Sequence, residues 1–169
     1  GGRDLDGAMD ILNEGIRLPA TGRVRGQLLG ELGRALSTRF EARGTVGDLV
    51  DAIGYLNDAI QLTLAGSEDW VGWHLTLGSV LSALAEATNN PDAYARAIEV
   101  LSRAEEGARE GTLSWFFIQN NLADLLISYG QQKHSVEHID AAISRLDHLS
   151  RLDPPRALQA SASYSLGRA

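Results

Sequence analysis

The feature that most narrows the folds open to this chain is a pattern that returns about every 45 residues. Leu32-Gly33 comes back as Leu77-Gly78, as Leu122-Ala123 and, one position early, as Leu166-Gly167. The second half of the unit keeps step: Ala52-Ile53 returns as Ala97-Ile98 and Ala142-Ile143, and Leu56 as Leu101 and Leu146. The segment Asp4 to Asn13 reads as a still earlier copy of Asp48 to Asn57, displaced by 44 positions. A period of roughly 20 to 50 residues means supersecondary units stacked side by side, each too small to bury its apolar face alone.

Within a unit, Leu29, Leu32, Gly33 and Leu36 fall at helical spacing, and Leu49, Ala52, Ile53, Leu56, Ala59 and Ile60 form a second helical stripe. Between the stripes lie Gly44, Gly47 and Asp48. Either glycine can stop the first helix at positive φ, and Asp48 can cap the second. Each unit is therefore expected to be an antiparallel helix pair, A then B.

A leucine followed by a small residue on helix A, with spaced alanines on helix B, resembles the tetratricopeptide (TPR) repeats over nearly the whole chain. In that resemblance Gly33, Gly78, Ala123 and Gly167 take the small position of helix A. Ala52, Ala97 and Ala142 take the first small position of helix B, while Ala59 and Ala104 take the second, which departs to Leu149 in the third unit. Small residues there let two helix backbones approach closely. The usual TPR unit is about 34 residues, and the surplus here lies between the A and B small positions. It is roughly seven residues, close to two helical turns, so one turn added to each helix leaves both apolar faces in register. Such long units, with Arg39-Phe40 and Gly44 in place in the first copy, look similar to the arrays that accompany CHAT-type protease or signalling ATPase domains in bacteria and fungi.

The fold class implied is all-α, a right-handed α-solenoid forming one domain over residues 1–169. It reads as a B helix at 4–18, repeat one at 21–63, repeat two at 68–109, repeat three at 112–150 and a partial A helix at 154–169. The first A helix carries Gly22, Gly26, Gly30 and Gly33, each weakening it by about 1 kcal/mol relative to alanine, so its stability must come from packing. Ser67 and Thr112 read as caps for the second and third A helices. Asn89-Asn90-Pro91-Asp92 reads as a turn, and the third A helix is expected to end near Gly130. A chain that opens with Gly1-Gly2 and starts and stops inside a unit is expected to be a piece of a longer array.

Composition removes several functions. With 22 acidic against 15 basic residues the net charge is −7, which disfavours nucleic acid or an anionic membrane as primary partner and favours a basic or neutral one. There is no cysteine, hence no disulfide framework and no thiolate metal site. No apolar run reaches the eighteen or so residues of a membrane helix, and the default compartment is the cytoplasm.

The sharpest catalytic motif is His134-Ser135-Val136-Glu137-His138, a literal H-x-x-E-H of the kind that supplies zinc ligands and a general base in one class of peptidases. Its repeat equivalents are Gly44 to Asp48 and Asn89 to Ala93, so it is read as a turn and a first helical turn. No catalytic, cofactor-binding or metal-ligating residue is assigned, and the chain is read as a non-enzyme. Glu105-Glu106 with Arg109-Glu110 is read as a solvated outer face. Trp70 and Trp73 are either an exposed anchor pair or packed against repeat one.

The resemblance implies a concave groove lined by A helices that takes up a protein or peptide partner. By family register its positions are Gln27, Gly30, Arg34 and Thr38, then Gly72, Leu75, Ser79 and Ala83, then Phe117, Asn120, Asp124 and Ser128. Phe117 and Asn120 stand out as an aromatic anchor and a backbone-binding amide, with Phe117 equally open to a core role. Asn121 either ties adjacent helices together or binds a ligand. Arg34 is the one cation among these positions, which argues against the TPR class that clamps a C-terminal carboxylate. Self-association through the uncapped ends is a second reading, and control of a linked effector domain a third, by analogy with the resembling arrays.

Overall fold

A computed structural model describes residues 2–152. Among these residues it contains seven α-helices and no strand: α1 (Gly2–Arg17), α2 (Gly22–Arg43), α3 (Val46–Gln61), α4 (Glu68–Thr88), α5 (Pro91–Gly107), α6 (Leu113–Lys133) and α7 (Val136–Arg151). The final A-type helix expected at 154–169 lies outside the described residues.

Punctuation recurs with the 45-residue period. The A-type helices α2, α4 and α6 end on Gly44, Asn89 and His134, which occupy one repeat position and are all left-handed, with φ of 70°, 50° and 52°. Such a residue lets the chain reverse while its amide caps the last carbonyls. At the other end, Ser67 Oγ accepts from the Trp70 amide and Thr112 Oγ1 from the Trp115 amide, opening α4 and α6 as expected.

Two boundaries differ from expectation, each for an identifiable reason. Asp48 does not cap α3: Thr45 holds that position, and Asp48 sits in the first turn, 5 % exposed, taking a two-pronged bond from Arg39. Arg39 Nε and Nη2 lie 2.9 and 2.7 Å from its two carboxylate oxygens. Arg39 also lies 4.0 Å from Asp6, and Arg43 2.6 Å from the same carboxylate, so this cluster joins α1, α2 and α3. The bond to Asp48 raises the Arg39 pKa above its ordinary value. Gly130 does not end α6, which runs to Lys133; it is buried where a Cβ would stand 2.9 Å from Ile139 and 3.1 Å from the Ser135 carbonyl.

Each helix packs on its neighbours in the chain, and in addition α2 touches α4 and α4 touches α6. Among the described residues no Cα atoms of α3 and α5, or of α5 and α7, come within 8 Å, and the long side chain of Arg145 spans the second gap, to Glu105; the A-type helices thus share one side of the molecule. Within a pair the small residues act as sockets. A Cβ on Gly33 would meet Leu56 Cγ at 2.7 Å and the Ala52 carbonyl at 3.2 Å, and a Cβ on Gly78 would meet Leu101 Cγ and Cδ2 at 2.5 Å. Leu56, Leu101, Ala52 and Ala97 are fully buried. The glycines that weaken α2 by propensity thus let it lie close against α3 and α4.

Between pairs, Gly30 gives way to Trp73, whose indole carbons would stand 2.6 Å from an added Cβ. Trp70 packs on Gly107 of α5 and over the His74 ring at 3.8 Å. The tryptophans therefore pack inside the array, Trp73 being 8 % exposed.

Candidate functional site

The shared side of α2, α4 and α6 carries a run of shallow cavities, and the residues lining them follow one spacing. Arg34, Thr38 and Glu41 on α2, Leu75, Ser79, Ser82 and Glu86 on α4, and Phe117, Asn121, Asp124 and Ser128 on α6 all step by four, then three. Such a step keeps one face of a helix. Gly72 and Gln27 continue the face toward the helix N-termini.

The central cavity, about 350 Å³, gathers Arg34, Thr38, Leu75, Ser79 and Phe117 from three helices. Gln27, Arg34 and Leu75 line a neighbouring one of about 600 Å³ between α2 and α4, with Trp73 also lining it. Asp124 and Ser79 line a third, about 230 Å³, between α4 and α6. Phe117 is 37 % exposed and Leu75 half-buried, so an apolar pair stands open at the centre. The hydroxyls of Thr38 and Ser79 bond back to the carbonyls of Arg34 and Leu75 on their own helices, and Arg34 pairs with Glu31.

No protein-family model, curated protein or solved structure matches the chain. What the face can do must therefore be read from its own side chains.

Asn120 does not line these cavities. It is buried, 8 % exposed, with its amide nitrogen 3.5 Å from Asp124. Its neighbour Asn121 takes the groove position and donates to the Phe117 carbonyl at 2.8 Å, within its own helix. The signal for Asn121 was present in the four-then-three spacing that Arg34, Thr38 and Leu75, Ser79 already display. Thr76 and Ser37 also line the groove and have no comparable mark.

The H-x-x-E-H segment is divided by the helix boundary. His134 is the left-handed cap of α6, whereas His138 lies in α7, where its Nδ1 is 2.7 Å from Ser135 Oγ and its ring stands edge-on to Tyr129. The two imidazoles therefore do not share a helical face. Among the described residues no three His, Asp or Glu side chains gather in a geometry that could hold a metal ion.

Two polar groups lie deeper. His74 is 4 % exposed, its Nδ1 2.9 Å from the Trp70 carbonyl. Burial lowers its pKa, the carbonyl pulls the other way, and nearby Arg103 lowers it further, so the neutral ring is favoured. One period later stands Gln119, which donates to Glu105 at 2.6 Å and accepts from Arg145 at 2.6 Å, while Arg145 reaches Glu105 at 2.9 Å. Glu105 is thus no part of a solvated face; it ties α5 to α6 and α7. Burial pushes its carboxyl up, but the bonds from Arg145 and Gln119 outweigh that and hold it below the usual range. No helix among the described residues is long and apolar enough to cross a membrane.

Proposed function

We propose that the helix pairs stack as a right-handed TPR-like solenoid that works as a non-enzymatic interaction module, with the side shared by α2, α4 and α6 taking up a segment of another protein. The observation that carries this reading is the central cavity, where an exposed aromatic and a half-buried leucine from two helices stand among hydroxyls and an amide. Binding surfaces combine such an apolar anchor with polar groups around it, the anchor supplying most of the affinity. Arg34, Thr38, Leu75, Ser79 and Phe117 supply that combination from three helices at once, so their mutual placement depends on the stacking and not on a loop. Regulation of a linked effector domain is an extension of this reading that rests on the TPR resemblance alone.

The test is selection of a random peptide library on the purified chain, followed by binding of the selected peptides to Phe117→Ala and Leu75→Ser. Each truncation is expected to weaken binding at least tenfold while the helical circular dichroism stays as in the parent. Selected peptides that bind both variants as well as the parent would place the binding surface elsewhere.

A further inference from the structure

We infer that the occupant of this groove is a short basic segment, rich in lysine or arginine around an apolar side chain; the inference rests on the interaction reading above. The three cavities are lined by six carboxylates, Glu31, Glu41, Glu68, Asp69, Glu86 and Asp124, against one guanidinium, Arg34. That guanidinium is already paired with Glu31. Glu41, Glu68 and Glu86 form no ion pair among the described residues. The potential of the face is therefore negative along its length, and a concave surface with low-dielectric walls concentrates such a field.

A second observation points to a ligand independently of charge. Trp73 lines the cavity between α2 and α4, is 8 % exposed, and its indole N–H is buried without an acceptor. A buried donor left without a partner is costly, and a backbone carbonyl of a bound segment would satisfy it. Charge complementarity selects the partner's side chains, and this N–H donates to a main-chain carbonyl of the partner. Neighbouring helices lie about 8–10 Å apart, so the axes of α2 and α6 are about 20 Å apart, the span of about six extended residues.

The experiment measures fluorescence anisotropy of three labelled peptides of that length with one leucine pattern, the intervening positions being lysine, glutamine or glutamate. They are titrated with the full chain at physiological ionic strength. The lysine peptide is expected to bind at least tenfold tighter than either of the others. It should lose about tenfold on Glu41→Lys/Glu68→Lys and keep its affinity on Asp58→Lys/Glu106→Lys, which changes the net charge equally on α3 and α5. If the reversals perturb the fold, Glu41→Gln/Glu68→Gln replaces them with a smaller loss expected in the same direction. Equal weakening by both pairs would reduce the effect to general attraction by the net charge and overturn the inference, as would equal binding of all three peptides or of none. Neutral or acidic peptides that emerge from the library selection and still depend on Phe117 would overturn the basic partner while leaving the groove intact.

Discussion

Gly78→Ala should destabilise this protein although it puts a better helix former into the interior of α4. The ideal Cβ falls 2.5 Å from Leu101 Cγ and Cδ2 and 3.2 Å from Cδ1. Ordinary carbon contacts lie at about 3.5–4.0 Å, so Leu101 must retreat by about 1 Å. It is fully buried, although with Gly78 it lines the cavity between α4 and α6. Overpacking of this kind costs about 1–3 kcal/mol, against which alanine recovers up to about 1 kcal/mol of helix propensity. The net expectation is a loss of about 1–2 kcal/mol, or a fall of a few degrees in Tm for a chain of this size. Gly54→Ala is the matched control, since its Cβ meets nothing within 4 Å; it should stabilise by about 0.5–1 kcal/mol. Leu101→Ala alone should cost about 2–5 kcal/mol, and the double variant less than the two losses together, because the new methyl group enters the space the leucine vacated. Urea denaturation of the four variants reads all of these values. If Gly78→Ala stabilises as much as Gly54→Ala, or if the double variant is additive, the close approach of α4 and α5 is not what holds the glycine in place.

Further expectations follow from single sites. His134→Gly should raise stability by about 1 kcal/mol, since glycine adopts the left-handed cap without the steric cost a side chain incurs, and a loss of stability in a thermal melt would refute the cap. His74 has a lowered pKa, so its neutral form contributes stability that is complete above the ordinary histidine value of 6.5 and is lost as pH falls through the lower folded value. His74→Gln, copying Gln119 one period later, should flatten the melting temperature between about pH 7 and 5, and an unchanged slope would contradict the assignment. Arg145→Ala leaves a half-buried Glu105 with Gln119 as its remaining side-chain donor and takes the donor from the Gln119 side-chain carbonyl, for a loss of about 1–3 kcal/mol at neutral pH. That loss should shrink in acid, because the carboxyl is held low and its contribution disappears as pH falls below 4.5 through the folded value.

What consecutive residues encode and what they do not divides along a physical line. The helix pairs, their caps at Ser67 and Thr112 and the turn at Asn89 follow from local spacing and punctuation, which act within a few residues and are written in consecutive letters. Contacts between residues far apart in the chain are not written that way. Gly30 accepting Trp73 and Gly107 accepting Trp70 join residues tens of positions apart, and nothing local marks a glycine as a socket instead of a helix breaker. Glu105 shows the same limit, for beside Glu106 it looks like part of a charged surface until Gln119 and Arg145 are brought to it. Asp48, beside a glycine, has the local setting of a cap, yet Arg39 from the preceding helix claims it. Of the positions expected on the A-helix face, Arg34, Thr38, Leu75, Ser79 and Phe117 converge on one cavity. Asn120, one residue before the cavity-lining Asn121, is turned inward by the roughly 100° that separates neighbours on a helix.

Hydrogen–deuterium exchange of the chain with and without a library-selected peptide tests the interaction reading most directly. Added protection is expected in Gln27 to Glu41, Gly72 to Glu86 and Phe117 to Ser128, with α3 and α5 unchanged. Protection concentrated on α3 and α5, with the shared side of α2, α4 and α6 exchanging as before, would contradict it.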